Sequence, residues 1–111
     1  MAHYECTFIA RPDLSKSDVD KLADTMTAVI EKNGGKVVKR EYWGLKTMAY
    51  EINKNRKGHY VMLGVEGGGA AIDAVRHEIR ITEEILRGME IKVEKLESKP
   101  SVQAMRADEA A

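Results

Sequence analysis

The residue types with the clearest potential for chemistry in this sequence are basic and aromatic side chains that alternate along its middle part. The basic residues there are Lys36, Lys39, Arg40, Lys46, Lys54, Arg56, Lys57 and His59, and the aromatic residues are Tyr42, Trp43, Tyr50 and Tyr60. Cations neutralise phosphates and aromatic rings stack on bases, so this combination favours nucleic-acid binding. A second basic group contains Arg80, Arg87 and Lys92. The competing interpretation is an ordinary solvated surface, and some of the aromatic residues must belong to the core.

Other reactive residues lack the spacing that catalysis or metal binding requires. Cys6 shares a strand face with apolar residues, which indicates a core thiol rather than a nucleophile. The three histidines belong to three different elements, without the close spacing of metal ligands. The glycines at 67–69 lack the lysine and hydroxyl residue of a phosphate loop, and Glu83 and Glu84 are typical of a solvated connector. We therefore expect no catalytic residue, no metal and no cofactor.

The first half of the chain predicts a strand, a helix and a long second strand. Residues 4–10 alternate as a strand does, and apolar residues from Val19 to Ile30 recur at spacings of three and four, as on one side of a helix. Ser15 precedes that helix as a cap, and the Asn-Gly-Gly at 33–35 ends it. Residues 36–52 are rich in strand-forming types, with a bend or bulge expected at Gly44.

The second half predicts a hairpin arm, a second helix and a last strand. Residues 53–58 have the composition of a turn, and residues 59–66 alternate as the next strand. A helix running to about residue 81 and a strand over residues 86–95 follow. The order is that of an α+β ferredoxin-like βαββαβ domain, with a four-stranded antiparallel sheet, two helices on one face and the other face free for solvent or a ligand.

Composition limits the organisation and the location of the protein. The chain has 111 residues, one cysteine and a net charge of zero, from 18 basic and 18 acidic residues. This length favours one domain, predicted at residues 1–95, with a flexible tail at 96–111 that lacks periodicity. A single thiol, and no apolar run near the roughly 18 residues of a membrane span, predict a cytoplasmic protein. Any nucleic-acid binding must depend on local charge, because no overall positive field exists.

Several motifs in fixed order make the chain resemble the bacterial small-subunit ribosomal protein six family. The similarity covers residues 4–93 and includes the Arg-Pro-Asp-Leu turn at 11–14, Trp-Gly at 43–44, the Ala-Tyr-x-Ile-x-Lys element at 49–54 and Gly-His-Tyr at 58–60. The resemblance implies a structural, non-enzymatic role in the small ribosomal subunit. It also implies binding to the central domain of the 16S ribosomal RNA together with small-subunit ribosomal protein eighteen. A basic partner would supply the phosphate-neutralising charge that this neutral chain lacks.

The resemblance also implies which residues make these contacts. The residues carried over as RNA-binding are His3, Tyr4, Lys46, Tyr50, Lys54, Arg80, Arg87 and Lys92. In the family the edge of the second strand and the segment after the last strand contact the partner, which here gives Lys36, Val38, Arg40, Leu96 and Lys99. The chain departs from the family at Leu45, where a basic residue is frequent, and at Glu51, where proline is frequent. It also lacks a terminal acidic pair of the kind that is glutamylated in some members of the family, so this modification is not predicted here.

Two other function classes are compatible with the same order of elements. A small enzyme, acylphosphatase-like or a dimeric α+β barrel, would need a phosphate-binding arginine with an amide-donor loop, or a polar cavity in a homodimer. Arg11 in the first turn lacks such a loop in the sequence. A regulator would bind a small ligand on the open sheet face, and ligand-induced thermal stabilisation would reveal it.

Overall fold

Two helices cover one face of a four-stranded antiparallel sheet in the computed structural model, which describes residues 2–52 and 54–94. The elements in chain order are β1 (His3–Ala10), α1 (Lys16–Lys32), β2 (Lys36–Ile52), β3 (Asn55–Glu66), α2 (Gly69–Ile81) and β4 (Ile85–Val93). The strands lie side by side in the order β2-β3-β1-β4, so β2 and β4 form the two edges. The predicted ferredoxin-like α+β fold is confirmed.

Helix α1 has the start and the end that its sequence predicts. The Ser15 hydroxyl accepts a hydrogen bond from the backbone N–H of Asp18 at 3.1 Å, and the Asp18 carboxylate accepts one from the Ser15 N–H. This capping box satisfies two donors that helical bonding leaves free. At the other end Gly34 has φ = 85°, a left-handed conformation that suits glycine. Together the two signals define where helix α1 begins and ends.

The main core lies between the helices and one face of the sheet. Alternate residues of β1 and β3 point into it, and both helices contribute one apolar side; its largest fully buried members include Phe8, Val19, Met26, Ile30, Leu63, Val65 and Val75. Cys6 lies in the same cluster and is 3% exposed. Burial raises the pKa of its thiol to about 12, so the group is neutral at physiological pH. The prediction of a core thiol is confirmed.

The hairpin between β2 and β3 is longer than the sequence indicates. Strand β3 begins at Asn55 and not at residue 59, because Thr47 pairs with Lys57 and Lys46 with Gly58. The turn is therefore shorter than the predicted residues 53–58, and Lys54 takes φ = 66° within it. Strand β4 begins one residue earlier than predicted, at Ile85. Residues 55–58 have the composition of a turn although they belong to a strand, because polar side chains are compatible with a turn and with an exposed strand.

Some predicted features lie beyond this part of the chain. Leu96, Lys99 and the proposed boundary at residue 95 are outside the described residues. Within them, no helix is both long and apolar enough to cross a membrane. The described residues also contain no group of three metal-ligating side chains.

Candidate nucleic-acid interface

The sheet face opposite the helices, which we call the open face, brings together side chains from all four strands. Arg87 pairs with Ile9, Ile9 with Tyr60 and Tyr60 with Gly44, so these four residues form one row across the sheet. Directly paired residues point to the same side of a sheet. Arg87 and Tyr60 thus lie two strands apart, roughly 10 Å. This row places a cation and an aromatic residue on the face that the helices leave free.

Trp43 is held on the same face by a buried carboxylate. Its indole N–H donates a hydrogen bond to Glu41 Oε1 at 2.8 Å, and Lys39 Nζ lies 3.3 Å from Glu41 Oε2. Glu41 pairs with Met62, which pairs with Thr7, and this register places the carboxylate on the open face. Only 7% of Glu41 is exposed. A buried charge requires such compensation, so Lys39 and the indole together keep the carboxylate in place.

Lys46 completes this cluster. Its ammonium lies 5.8 Å from the centre of the Trp43 ring, within the range of a cation–π interaction. The Gly44 backbone between them has φ = 94°, and the β2–β3 register shifts between Tyr42 and Gly44. The predicted bulge at Gly44 is therefore confirmed. Trp43 shares a side of the strand with Glu41 by alternation, and the extra residue of the bulge returns Lys46 to that side.

The open face is less open than predicted near this cluster. Ile9, Met48 and Met62 are each no more than 8% exposed, although none belongs to the main core between sheet and helices. The register places Ile9 and Met62 on the open face. A second, smaller apolar layer therefore lies on this side of the sheet. The expectation of an uncovered face does not hold at Ile9 and Met62, which are buried there although alternation alone predicts exposure.

The opposite end of the open face is exposed and apolar. Met89 is 48% and Ile91 52% exposed, and they pair with Thr7 and Glu5 of β1. The other side of β4 meets α2, where a Cβ added to Gly88 would lie 2.5 Å from Ile79 Cδ1. A larger residue at this position would have to displace the end of the Ile79 side chain. Met89 and Ile91 thus lie on the side of β4 away from the main core, whereas Ile85 belongs to that core.

The predicted RNA-binding residues lie in several separate places. His3, Lys46 and Arg87 lie on the open face, and Lys54 is exposed at the hairpin tip. Tyr4 pairs with Lys92 on the helix side of the sheet, where Tyr4 packs against the core. Arg80 borders a cleft of about 290 Å³ between α2 and β4, lined also by Arg76, Ile79, Gly88 and Glu90. Tyr50 is in β2, but its side chain lies outside the described part of the structure. The residues therefore do not converge on one point.

The edge strand β2 carries three of the predicted partner-binding residues, Lys36, Val38 and Arg40. Val38 is 44% exposed where the β2–β3 register shifts between Val37 and Lys39. Arg40 points back to α1, where its Nη1 lies 2.6 Å from Asp24 Oδ1 and its Nη2 donates to the Asp20 carbonyl at 2.9 Å. Lys36 is exposed at the start of the strand. The edge thus offers an apolar residue, a lysine and an arginine already bonded within the chain.

His59 does not belong to the basic surface in which the sequence places it. The side chain is buried, with Nε2 at 2.9 Å from the Leu14 carbonyl oxygen and Nδ1 at 2.9 Å from the Tyr42 hydroxyl. Tyr42 accordingly lies on the helix side, where burial and then the charge of Asp20 raise the pKa of its hydroxyl. Of the aromatic residues considered for stacking, Tyr42 therefore belongs to the core, whereas Trp43 and Tyr60 lie on the open face.

Comparison with known proteins identifies the family. The family model described as "Ribosomal protein S6" matches residues 3–92. The chain belongs to the ribosomal protein S6 family. Small ribosomal subunit protein bS6 of Cereibacter sphaeroides is 47% identical over 109 residues, covering 98% of this chain and 83% of that relative. The protein of the same name from Paramagnetospirillum magneticum is 46% identical over 101 residues, covering 91% and 70%.

A solved structure supports the same assignment. The crystal structure of 30S ribosomal protein S6 from Thermotoga maritima matches with a TM-score of 0.75 at 29% identity, covering 83% of this chain and 87% of that one. Membership of the S6 family confirms that the chain is a structural protein of the small ribosomal subunit, located in the cytoplasm, and not an enzyme. The Arg11 guanidinium, which an acylphosphatase-like enzyme would need for phosphate binding, is instead paired with a carboxylate, since Arg11 Nη2 lies 2.8 Å from Asp13 Oδ2. This hydrogen bond lowers the pKa of the Asp13 carboxyl.

The cluster of Lys39, Glu41, Trp43 and Lys46 is the part of the S6 surface that sequence reasoning did not assemble. The sequence shows acidic, aromatic and basic residues at alternate positions, followed by a glycine. Alternation alone places Lys39, Glu41 and Trp43 on one side of a strand, and a glycine bulge would add Lys46. The sequence therefore contains a signal for this cluster, whereas the composition of the segment does not distinguish the two faces of the strand.

Proposed function

We propose that this S6-family chain binds the central domain of the 16S ribosomal RNA jointly with small-subunit ribosomal protein eighteen, and in this way supports subunit assembly and translation. The observation that carries the proposal is the family match over residues 3–92. In this proposal residues 1–95 are the RNA-binding domain, and Leu96 and Lys99 of the segment 96–111 take part in the partner contact.

Cations on three parts of the surface support RNA binding. Arg87 and Lys46 project from the open face, Lys54 from the hairpin tip and Arg80 from the last turn of α2. Backbone phosphates are spaced along a helix, so separated cations can each neutralise one phosphate of a folded RNA. Arg80 makes no hydrogen bond or ion pair with another described residue, which leaves its guanidinium available. His3, Tyr4, Tyr50 and Lys92 complete the proposed RNA-binding set.

The free edge of β2 supports a protein partner. An unpaired edge strand presents backbone donors and acceptors that another chain can bind. Val38 adds exposed apolar area at this edge, and Lys36 adds charge at its start. Arg40 contributes by fixing the edge to α1 through Asp24, because that ion pair already occupies its guanidinium. A basic partner on this edge would also add the positive charge that the neutral chain lacks.

Alanine variants measured across a salt series test the RNA side of the proposal. In the complex with the partner, Lys54→Ala should weaken binding to a central-domain RNA fragment and reduce the slope of log K against log salt by about 0.7 to 0.9. The matched control is Lys21→Ala, because Lys21 is exposed on α1, far from the proposed RNA contacts. Equal affinities and slopes for both variants and the unmodified chain would remove Lys54 from the interface.

A further inference from the structure

Trp43 is the only tryptophan of the chain, and the structure fixes its orientation on the open face. Its indole edge is bonded to Glu41, whose carboxylate is itself held by Lys39. A ring that is anchored by its N–H edge cannot rotate freely about its side-chain bonds. Such an anchor lowers the entropy that a ligand must remove when it binds against the ring. The indole is thus pre-organised as a flat surface.

The ring lies at the bulge at Gly44, on the side of the sheet away from the main core. Trp43 is the extra residue between Tyr42, which pairs with Val61, and Gly44, which pairs with Tyr60. Bulges occur often next to functional sites, where they direct a side chain. The left-handed φ of 94° at Gly44 is the conformation that makes this arrangement possible. In a regular strand each residue has a partner on the neighbouring strand, so an extra residue such as Trp43 would not occur here.

Two cations lie beside the ring on the same face. Lys46 lies over the indole at 5.8 Å, and Lys39 is bonded to the same Glu41 carboxylate that accepts the indole N–H. The ammonium of Lys46 occupies the position above a ring face that a nucleobase would take. A base stacked there would carry its own phosphate next to it, and the lysine stem is long enough to follow that phosphate. Phosphate charge therefore complements the groups around Trp43 in a way that an apolar protein segment would not.

We propose that Trp43 is a stacking platform for one unpaired base of the bound RNA, and that Lys46 moves from the ring to the phosphate of that nucleotide. The inference rests on the proposed function and adds to it the kind of RNA recognised at this point. An unpaired base is required, because bases within an RNA duplex are stacked on their neighbours and do not expose a face. Glu41 acts as a positioning residue, since it touches the indole and not the RNA.

The test measures RNA affinity and its salt dependence for Trp43 variants in the complex with the partner. Trp43→Leu should lower affinity for the central-domain fragment roughly 5- to 150-fold, which corresponds to the loss of one stacked base. The salt slope should not change, because no phosphate contact is removed directly. Trp43→Phe keeps an aromatic face and should retain most of the affinity. Lys46→Ala is the contrasting variant, expected to reduce both affinity and slope.

A second measurement makes the test independent of how well the variants fold. Tryptophan fluorescence of the unmodified complex should be quenched when the central-domain fragment binds, and the Trp43→Phe complex supplies the background from other tryptophans. A fully paired RNA duplex of equal length should leave the emission of Trp43 unchanged. Quenching by the fragment and not by the duplex supports the platform.

Three outcomes would overturn the platform or the function beneath it. If Trp43→Leu binds RNA like the unmodified chain while Lys54→Ala does not, the proposed function holds and the platform is wrong. If Trp43→Leu loses the partner protein but binds RNA normally, the ring contacts protein instead. If the unmodified complex binds no central-domain RNA, the proposed function fails, and the platform fails with it.

Discussion

Among single residues, His59 shows how a side chain that looks like a surface cation can connect three parts of the fold. The Leu14 carbonyl can only accept a hydrogen bond, so Nε2 of His59 carries a proton and donates to it at 2.9 Å. Nδ1 forms a second hydrogen bond, 2.9 Å from the Tyr42 hydroxyl. The imidazole thus joins β3 to β2 and to the loop before α1. Its role is to stabilise the scaffold and not to bind RNA.

Removing this link should destabilise the protein without any direct effect on RNA contacts. His59→Ala leaves the part-buried Leu14 carbonyl and Tyr42 hydroxyl without their shared partner, which costs about 1–3 kcal/mol in the free energy of unfolding. Urea denaturation followed by circular dichroism measures the loss. The control is His77→Ala on the exposed side of α2, expected to change stability by less than about 0.5 kcal/mol. Equal stabilities for the two variants would show that the bonds of His59 contribute nothing.

Residue roles were predictable from the sequence only where local pattern decides them. Cys6 alternates with apolar residues, so its burial follows from its strand face. Arg40 is different, because its partner Asp24 lies 16 residues away on α1. From composition, Arg40 and Lys36 are both predicted to be surface cations. They differ because α1 packs next to β2 and brings Asp24 to Arg40. The same limit applies to His59, whose partners lie 17 and 45 residues away in sequence.

Among the elements, strand β2 shows most clearly how a local backbone feature shapes a surface. It runs from Lys36 to Ile52 along an edge and contains a register shift on either side of Arg40. The shift at Gly44 places Trp43 and Lys46 on the open face together. A glycine is needed there, because a left-handed conformation costs other residues about 1–2 kcal/mol. The bulge therefore shapes the part of the open face that carries Trp43 and Lys46.

A pair of glycine variants tests the importance of this bulge. Gly44→Ala should lower the free energy of unfolding by about 1–2 kcal/mol, since φ is 94° at that position. Gly69→Ala at the start of α2 is the control, because an added Cβ has no neighbour within 4 Å and alanine favours a helix by up to about 1 kcal/mol. Thermal unfolding of both variants gives the comparison. A Gly44→Ala variant as stable as Gly69→Ala would mean that the bulge relaxes at no cost.

The elements themselves were largely predictable, whereas their exact limits and faces were not. Helix α1 was predicted well because its capping box and terminal Asn-Gly-Gly are local signals. The start of β3 was not, because residues 55–58 are held by pairing with β2 and not by their own preference. Alternation in β4 was also correct, but it did not tell which set of residues faces α2. The register with β1 decides that question, because core residue Phe8 pairs with Gly88 and Thr7 of the open face pairs with Met89.

The whole molecule combines zero net charge with an uneven distribution of that charge. Acidic residues of α1 bind Arg40 on the helix side, where Asp24 and Asp20 both contact it. The hairpin tip and part of the open face carry cations, among them Lys54, Lys46 and Arg87. A neutral chain of this kind has local positive sites but no long-range attraction to RNA. Its affinity should therefore depend strongly on a basic partner.

The measurement that tests this account most directly is binding of the purified chain to a central-domain 16S ribosomal RNA fragment, with and without small-subunit ribosomal protein eighteen, over a salt series. We expect weak binding by the chain alone, a strong gain when the partner is added, and an affinity that falls as salt is raised. Absence of binding in both conditions, or equal affinity with and without the partner, would contradict the shared RNA site.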